Sequence, residues 1–447
     1  MEIQLLLAVG LGIALLLFLI LKLKIQAFLA LLIVCIFVGI LAGMPAGDIM
    51  ETMKEGMGST LGFVATVVGL GALFGGILEQ SGGAKALASF ILKKTGEKNA
   101  PWAMMITGFI VAIPVFFDVA FIILVPITYA LSKKTGKSLI LYAIPLLAGL
   151  AITHCFIPPT PGPIAVADIL GADLGWVILF GFAAGIPAAI LSGPLFARLL
   201  TKSLYVAPKS FTEDSAPEDQ MPSAKMITAI IFVPIFLIVL NTLMASPLVD
   251  ASEFPNWINY MVDLLGHPFT ALIIANLLAW YFLGVKRGVT KDKLLKIAAK
   301  SFESAGIIIL LTGAGGAFKQ ILINTGAGEM IVNNLNESFI NPLLFGFIVA
   351  ALIRVLQGSS TVAMITAAGI TAPLLEGANY AESQISLIVI AVASGALILS
   401  HVNDSGFWLV GQYIGLNEKQ TFKSWTVMTT IISLVGLGVS SLLWYLL

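Results

Sequence analysis

Gly346-Phe-Ile-Val-Ala-Ala-Leu-Ile-Arg-Val-Leu-Gln-Gly-Ser-Ser-Thr-Val-Ala-Met-Ile365 holds one charged side chain, Arg354, in an apolar run that breaks at Gly358-Ser359-Ser360-Thr361 and then resumes. The enclosing block, Pro342–Leu375, is roughly thirty residues long. At ~1.5 Å per residue that is too long for one straight crossing of a ~30 Å hydrocarbon core and too short for two. A helical hairpin that enters and leaves on one face, its polar tip near mid-membrane, fits that length. Irregular backbone at such depth is tolerated only where it is buried in protein or lines a cavity. A second block, Trp102–Leu131, has the same length problem and breaks at Pro114-Val-Phe-Phe-Asp118.

The whole chain supports a membrane setting. It has 447 residues, 58% hydrophobic and 11% charged, with mean hydropathy +1.01. Several apolar windows reach the ~20 residues a bilayer-spanning helix needs. Period-2 alternation is absent, which excludes a barrel. The stretch Ile3–Leu21 lacks a basic leader and a small-residue cleavage site, and reads as a retained first span. Formal net charge is zero, with no basic patch suited to nucleic acid. Cys35 and Cys155 sit in separate apolar segments and suggest neither a disulfide nor a metal site, and no cofactor motif is present.

The two halves resemble each other. Gly69-x-Gly71-x-x-Phe74-x-x-Ile77-Leu78-x-x-Ser81-Gly82 recurs as Gly313-x-Gly315-x-x-Phe318-x-x-Ile321-Leu322-x-x-Thr325-Gly326, a shift of 313 − 69 = 244. Gly162 and Gly171 match Gly406 and Gly415 at the same shift. These glycines read as close-packing positions; no strand surrounds them to make a dinucleotide fingerprint. Between the halves lies a polar, proline-containing stretch. The expected division is a first repeat over residues 1–201, a cytoplasmic linker over 202–224 and a second repeat over 225–447.

Lysine and arginine placement sets the orientation. With the N-terminus outside and five crossings per half, Lys22/Lys24, Lys85–Lys98, Lys133–Lys137, Arg198–Lys225, Lys286–Lys300 and Lys419/Lys423 share the cytoplasmic side. Lys54 alone stands opposite. Five is odd, so the second half enters from the other face and both termini are outside. The expected fold is an all-α polytopic membrane protein of two inverted-topology repeats, each with five membrane crossings, one re-entrant hairpin and one discontinuous helix. The discontinuities are expected at Thr153-His-Cys-Phe-Ile-Pro-Pro-Thr-Pro-Gly-Pro163 and Ser400-His-Val-Asn-Asp-Ser-Gly406, both poor in helix formers.

Two hairpin tips and two unwound segments related in this way converge at the midplane, where helix ends offer partial charges to ions. Arg354 is the candidate donor to a substrate carboxylate, with pairing to Asp404 or Asp118 as the structural alternative. Asp118 is a candidate proton carrier, or else a helix N-cap. His154 and His401, beside the two breaks, are weighed between a site role and ordinary core hydrogen bonding. Ser359, Ser360, Thr361 and Asn403 suit sugar hydroxyls, or satisfy backbone groups freed by the breaks.

Phe116-Phe-Asp-Val, His154-Cys-Phe-Ile-Pro-Pro-Thr-Pro-Gly-Pro163, Gly315-Gly-Ala-Phe-Lys-Gln320, Gly358-Ser-Ser-Thr-Val-Ala363 and Ser400-His-Val-Asn-Asp-Ser-Gly-Phe-Trp408 resemble the gluconate permease family of proton symporters over nearly the whole chain. The resemblance implies a carrier in the bacterial inner (cytoplasmic) membrane that imports gluconate or a related sugar acid with a proton. Relatives carry idonate, fructuronate and D-serine. Ser359-Ser-Thr-Val-Ala-Met also resembles the hairpin tips of the more distant divalent-anion/sodium symporters, which implies a scaffold, a moving part and often a homodimer. Thr160 stands where many gluconate permeases carry a histidine, so the exact sugar acid stays open. On this reading Arg354, Ser359, Ser360, Thr361, His401, Asn403, Asp404 and Thr160 bind substrate, and Asp118 and His154 carry the proton. An intramembrane enzyme using His154, His401 and Asp404 is the alternative of another class; it lacks a His-Glu-x-x-His pair and a Gly-x-Ser-x-Gly elbow.

Overall fold

A bilayer core supplies no water to backbone N–H and C=O groups, so a spanning chain must satisfy them internally. The computed structural model describes residues 2–208, 221–245, 249, 254–325, 341–375, 379–402 and 404–447, and among these there are helices and no strand. Asn403 and most of the linker lie outside the described residues.

The first half opens with two short apolar helices, α1 (Glu2–Leu17) and α2 (Ala27–Leu41), packed on each other. The long α3 (Ala46–Gln80) follows, then α4 (Gly83–Thr95). The block around Pro114 is divided into α5 (Ala100–Val111) and α6 (Phe117–Thr135). Next come α7 (Ile140–Phe156) and α8 (Pro161–Leu170), then α9 (Leu174–Ile190), which continues through a wider turn into α10 (Phe196–Leu200). The second half contains α11 (Ala224–Ala245), α12 (Asn256–Gly266), α13 (Pro268–Ala279) and the long α14 (Lys291–Asn324). The quoted block is divided into α15 (Pro342–Gln357) and α16 (Ser360–Thr371). α17 (Glu382–Gly395), α18 (Ser405–Ile414), the short α19 (Glu418–Thr421) and α20 (Val427–Leu446) complete the chain. Among the described residues seven helical stretches are long and apolar enough to cross a membrane, from Ala46–Gln80 to Glu418–Leu446. The chain is a multi-pass membrane protein.

The breaks differ in detail from the sequence reading. Helix α7 runs on through His154 to Phe156, and only residues 157–160 are non-helical. Pro161 and Pro163 belong to the first turn of α8, where a missing N–H costs nothing because that turn's donors have no intrahelical acceptor. His154 therefore sits on a helix, not in an unwound segment. The other break is longer than expected: α17 stops at Gly395 and α18 begins at Ser405.

Helices α3 and α14 form the most extensive contact in the molecule. Gly56 meets Gly316 while Gly76 meets Ser301, so the two run antiparallel. Helix α3 also seats both first-half breaks. A Cβ on Gly75 would stand 1.9 Å from the Pro114 carbonyl oxygen, and one on Gly71 3.1 Å from that of Pro159. No side chain fits at Gly75, so glycine there is what brings the α5–α6 connection against α3. The middle of the molecule, α7, α8, α16 and α17, is almost wholly buried.

Candidate functional site

The quoted stretch becomes a helix end, a two-residue break and a helix start. Gly358 ends α15 with φ +91°, a conformation that suits glycine. Its carbonyl turns back to accept from Arg354 Nη1. Ser359 is the N-cap of α16: its hydroxyl accepts from Val362 N at 3.3 Å. The N–H groups of Ser360 and Thr361, in the first turn, are left without intrahelical acceptors.

These residues line a cavity of about 540 Å³, inside the roughly 300–1,000 Å³ typical of small-ligand sites. Three helix N-termini open into it. Helix α6 brings Phe117, Asp118 and Val119; α16 brings Ser360 and Thr361 behind Ser359; α18 brings Ser405 and Gly406 behind Asp404. Each N-terminus carries a partial positive charge suited to a carboxylate, and the formally charged side chains of the lining are Arg354, Asp118 and Asp404. Gln357, His154, Cys155 and Trp425 complete the polar and aromatic parts of the lining.

Arg354 is only 3% exposed, and its partner is Asp404. Nη2 donates to Asp404 Oδ2, which Ser400 Oγ also approaches, while Asp404 Oδ1 accepts from Gly406 N at 2.9 Å. Asp404 is thus the N-cap of α18 and the counter-ion of Arg354 at once. Ser400 is itself held: Trp425 Nε1 donates to its hydroxyl at 2.6 Å, and Thr426 Oγ1 donates to its carbonyl. The network joins α15, the α17–α18 break and the start of the last span. The Arg354 side chain borders the cavity. The guanidinium is anchored through both Nη groups, and its Nε–H is buried without a partner among the described residues.

Asp118 lies in the first turn of α6, which is capped by Phe116 without a side-chain bond, so the carboxylate is not the N-cap. It makes no ion pair or hydrogen bond among the described residues and faces the cavity. Its N2 position still benefits from the helix dipole. His154, in the last turn of α7, also faces the cavity; its ring lies 6.4 Å from that of Phe117, and its Nδ1 has no partner among the described residues.

Thr160 and His401 are not part of the cavity wall. The Thr160 hydroxyl donates to the Ile157 carbonyl at 2.6 Å, satisfying backbone at the α7–α8 break. The His401 Nε2 is 2.9 Å from the Val355 carbonyl oxygen, tying the second break to α15. Asn403 lies outside the described residues. The sequence reading did not include Ser400 and Trp425 among the site residues, although Ser400 opens the polar segment it singled out. Hydropathy does not show which residues of a break face each other across helices. Among the described residues no group of three or more His, Cys, Asp and Glu is placed to hold a metal ion.

Residues 4–447 match the family described as GntP family permease. The chain is 39% identical over 423 residues to the low-affinity gluconate transporter of Escherichia coli K12, covering 94% of each chain. It is 40% identical over 417 residues to a gluconate permease of Pseudomonas aeruginosa PAO1, covering 92% of this chain and 91% of that one. Among solved structures, the YdaH transporter of Alcanivorax borkumensis shares the fold, with TM-score 0.67 at 15% identity over 94% of this chain and 97% of that chain.

Proposed function

The chain belongs to the GntP permease family, a premise from which we propose that it imports gluconate or a closely related sugar acid by proton symport with alternating access. It is a permease and not an enzyme, as its relatives are. The observation that carries the substrate reading is the meeting of three helix N-termini and Arg354 on one cavity of small-ligand size. The carboxylate docks on the Ser360 and Thr361 N–H groups beside the Arg354 guanidinium. The polyol chain meets the Ser359, Ser360, Thr361 and Ser405 hydroxyls. Asp404 orients Arg354 rather than touching the sugar. Asp118 takes up the proton, with His154 as the weaker candidate: an unpaired carboxylate beside an arriving anion is a site where protonation and substrate binding favour each other.

The architecture we propose is the inverted repeat, with both termini outside, in a bacterial inner membrane, and assembly as a homodimer. The paired long helices α3 and α14, and α8 and α18 starting 405 − 161 = 244 residues apart, support the duplication. The divided blocks α5–α6 and α15–α16 support the re-entrant hairpins. Movement of the hairpins and broken helices against the remaining spans exposes the one cavity to each side in turn.

Uptake of labelled gluconate into proteoliposomes, in competition with a panel of sugar acids and D-serine, tests the substrate. Strong competition by gluconate and idonate with none by D-serine is expected. Uptake blocked by D-serine and indifferent to sugar acids would overturn the assignment.

A further inference from the structure

A second cavity, of about 280 Å³, lies between the C-terminal turns of α3 and the N-terminal turns of α14 and is closed on one side by the loop at Pro114–Phe116. Phe116 and Val119 line both this cavity and the candidate site, so the two lie back to back across those side chains. On α14, Lys293, Lys296 and Lys300 recur at i, i+3 and i+7, one face of a helix, and all three border the second cavity. Across from them α3 supplies Glu79 and Gln80. Glu79 is within electrostatic reach of Lys300. Lys293 and Lys296 form no ion pair among the described residues, and the neighbouring Asp292 is not part of the lining. The cavity therefore carries an excess of positive charge one residue's width from a site that the substrate anion occupies.

We infer that this lysine-lined cavity is a separate anion subsite, which holds the substrate carboxylate on its way between the candidate site and the side of the membrane where the α3–α14 ends lie. Phe116 is the partition the substrate passes. The inference rests on the proposed reading that the cargo is a small carboxylate. Its physical basis is that ammonium groups lining a concave, partly apolar mouth concentrate anions locally, and that the effect reaches only about 8–10 Å at physiological ionic strength. The lysines therefore act on an anion entering or leaving through that mouth.

Both native cysteines are buried, and because Cys155 borders the candidate site the protein without the introduced thiol is run in parallel and its labelling subtracted. Gln80→Cys places one in the second cavity and leaves the lysines intact. Its reaction with a membrane-impermeant thiol reagent is measured in proteoliposomes with increasing gluconate, and with sorbitol as the uncharged control. Gluconate is expected to protect the introduced thiol and sorbitol not to. In the Gln80→Cys/Lys293→Gln/Lys296→Gln protein, half-protection should need about five-fold more gluconate or higher. Absence of protection in a protein that still transports gluconate overturns the inference, as does protection unchanged by loss of the two lysines. If the Gln80→Cys protein transports a different carboxylate, the substrate reading fails instead, and the same protection series with that carboxylate decides the subsite.

Discussion

Arg354 and Asp404, fifty residues apart in sequence, form a buried ion pair that joins the end of one helix to the start of another. The pair holds α15 against the α17–α18 break, and Ser400 and Trp425 extend it to the last span. A buried pair of this kind gives little net stability, but removing one partner leaves an uncompensated charge in a medium that cannot solvate it.

Arg354→Gln and Asp404→Asn should each destabilise the protein by about 3–5 kcal/mol. The Arg354→Gln/Asp404→Asn double variant should cost less than the sum of the two. Thermal unfolding in detergent, arranged as a double-mutant cycle, measures the coupling. Additive losses would mean that the two side chains do not depend on each other.

Two threonines that looked alike in the sequence separate in the structure. Thr361 faces the cavity, whereas the Thr160 hydroxyl is committed to Ile157. Thr361→Val should raise the half-saturation for gluconate roughly three- to ten-fold, the worth of one hydrogen bond, with stability unchanged. Thr160→Val should cost about 1 kcal/mol of stability and leave half-saturation alone. Uptake kinetics and melting curves on both variants check the pair.

The α3–α14 contact depends on the absence of a side chain at Gly316. A Cβ there would stand 2.3 Å from Thr60 Oγ1 and 2.6 Å from the Gly56 carbonyl oxygen. Gly316→Ala should destabilise by about 1–3 kcal/mol, because backbone cannot yield as a flexible side chain does. Gly62→Ala on the facing helix meets nothing within 4 Å and should be neutral or slightly stabilising. Yield of folded protein and melting temperature distinguish the two.

Much of this architecture was legible in the sequence, and the unread part has a physical reason. The polar break after Arg354 and the proline-rich stretch after His154 could be found because a break in an apolar run leaves backbone hydrogen-bonding groups that something must satisfy. Helix start and stop residues such as Ser359 and Gly358 carry their own local chemistry. What stayed open was partnership. The choice between Asp404 and a substrate carboxylate for Arg354 depends on a meeting of segments fifty residues apart, which no local pattern encodes. His154 and His401 stand beside the two breaks in the sequence, yet one faces the cavity and the other bonds Val355. His154 is placed by the rotation of α7 and His401 by the path of the non-helical segment before α18, and hydropathy is silent on both.

The central claim is that an unpaired carboxylate at Asp118 couples proton entry to carriage of a sugar acid bound beside it. Accumulation of labelled gluconate in proteoliposomes under an imposed inward proton gradient tests this most directly, with Asp118→Asn run in parallel. Wild-type protein should concentrate gluconate and lose the gradient of substrate when an uncoupler is added. Asp118→Asn should exchange internal for external gluconate but fail to concentrate it. Accumulation that survives the uncoupler, or an Asp118→Asn protein that concentrates gluconate as the wild type does, would contradict the account.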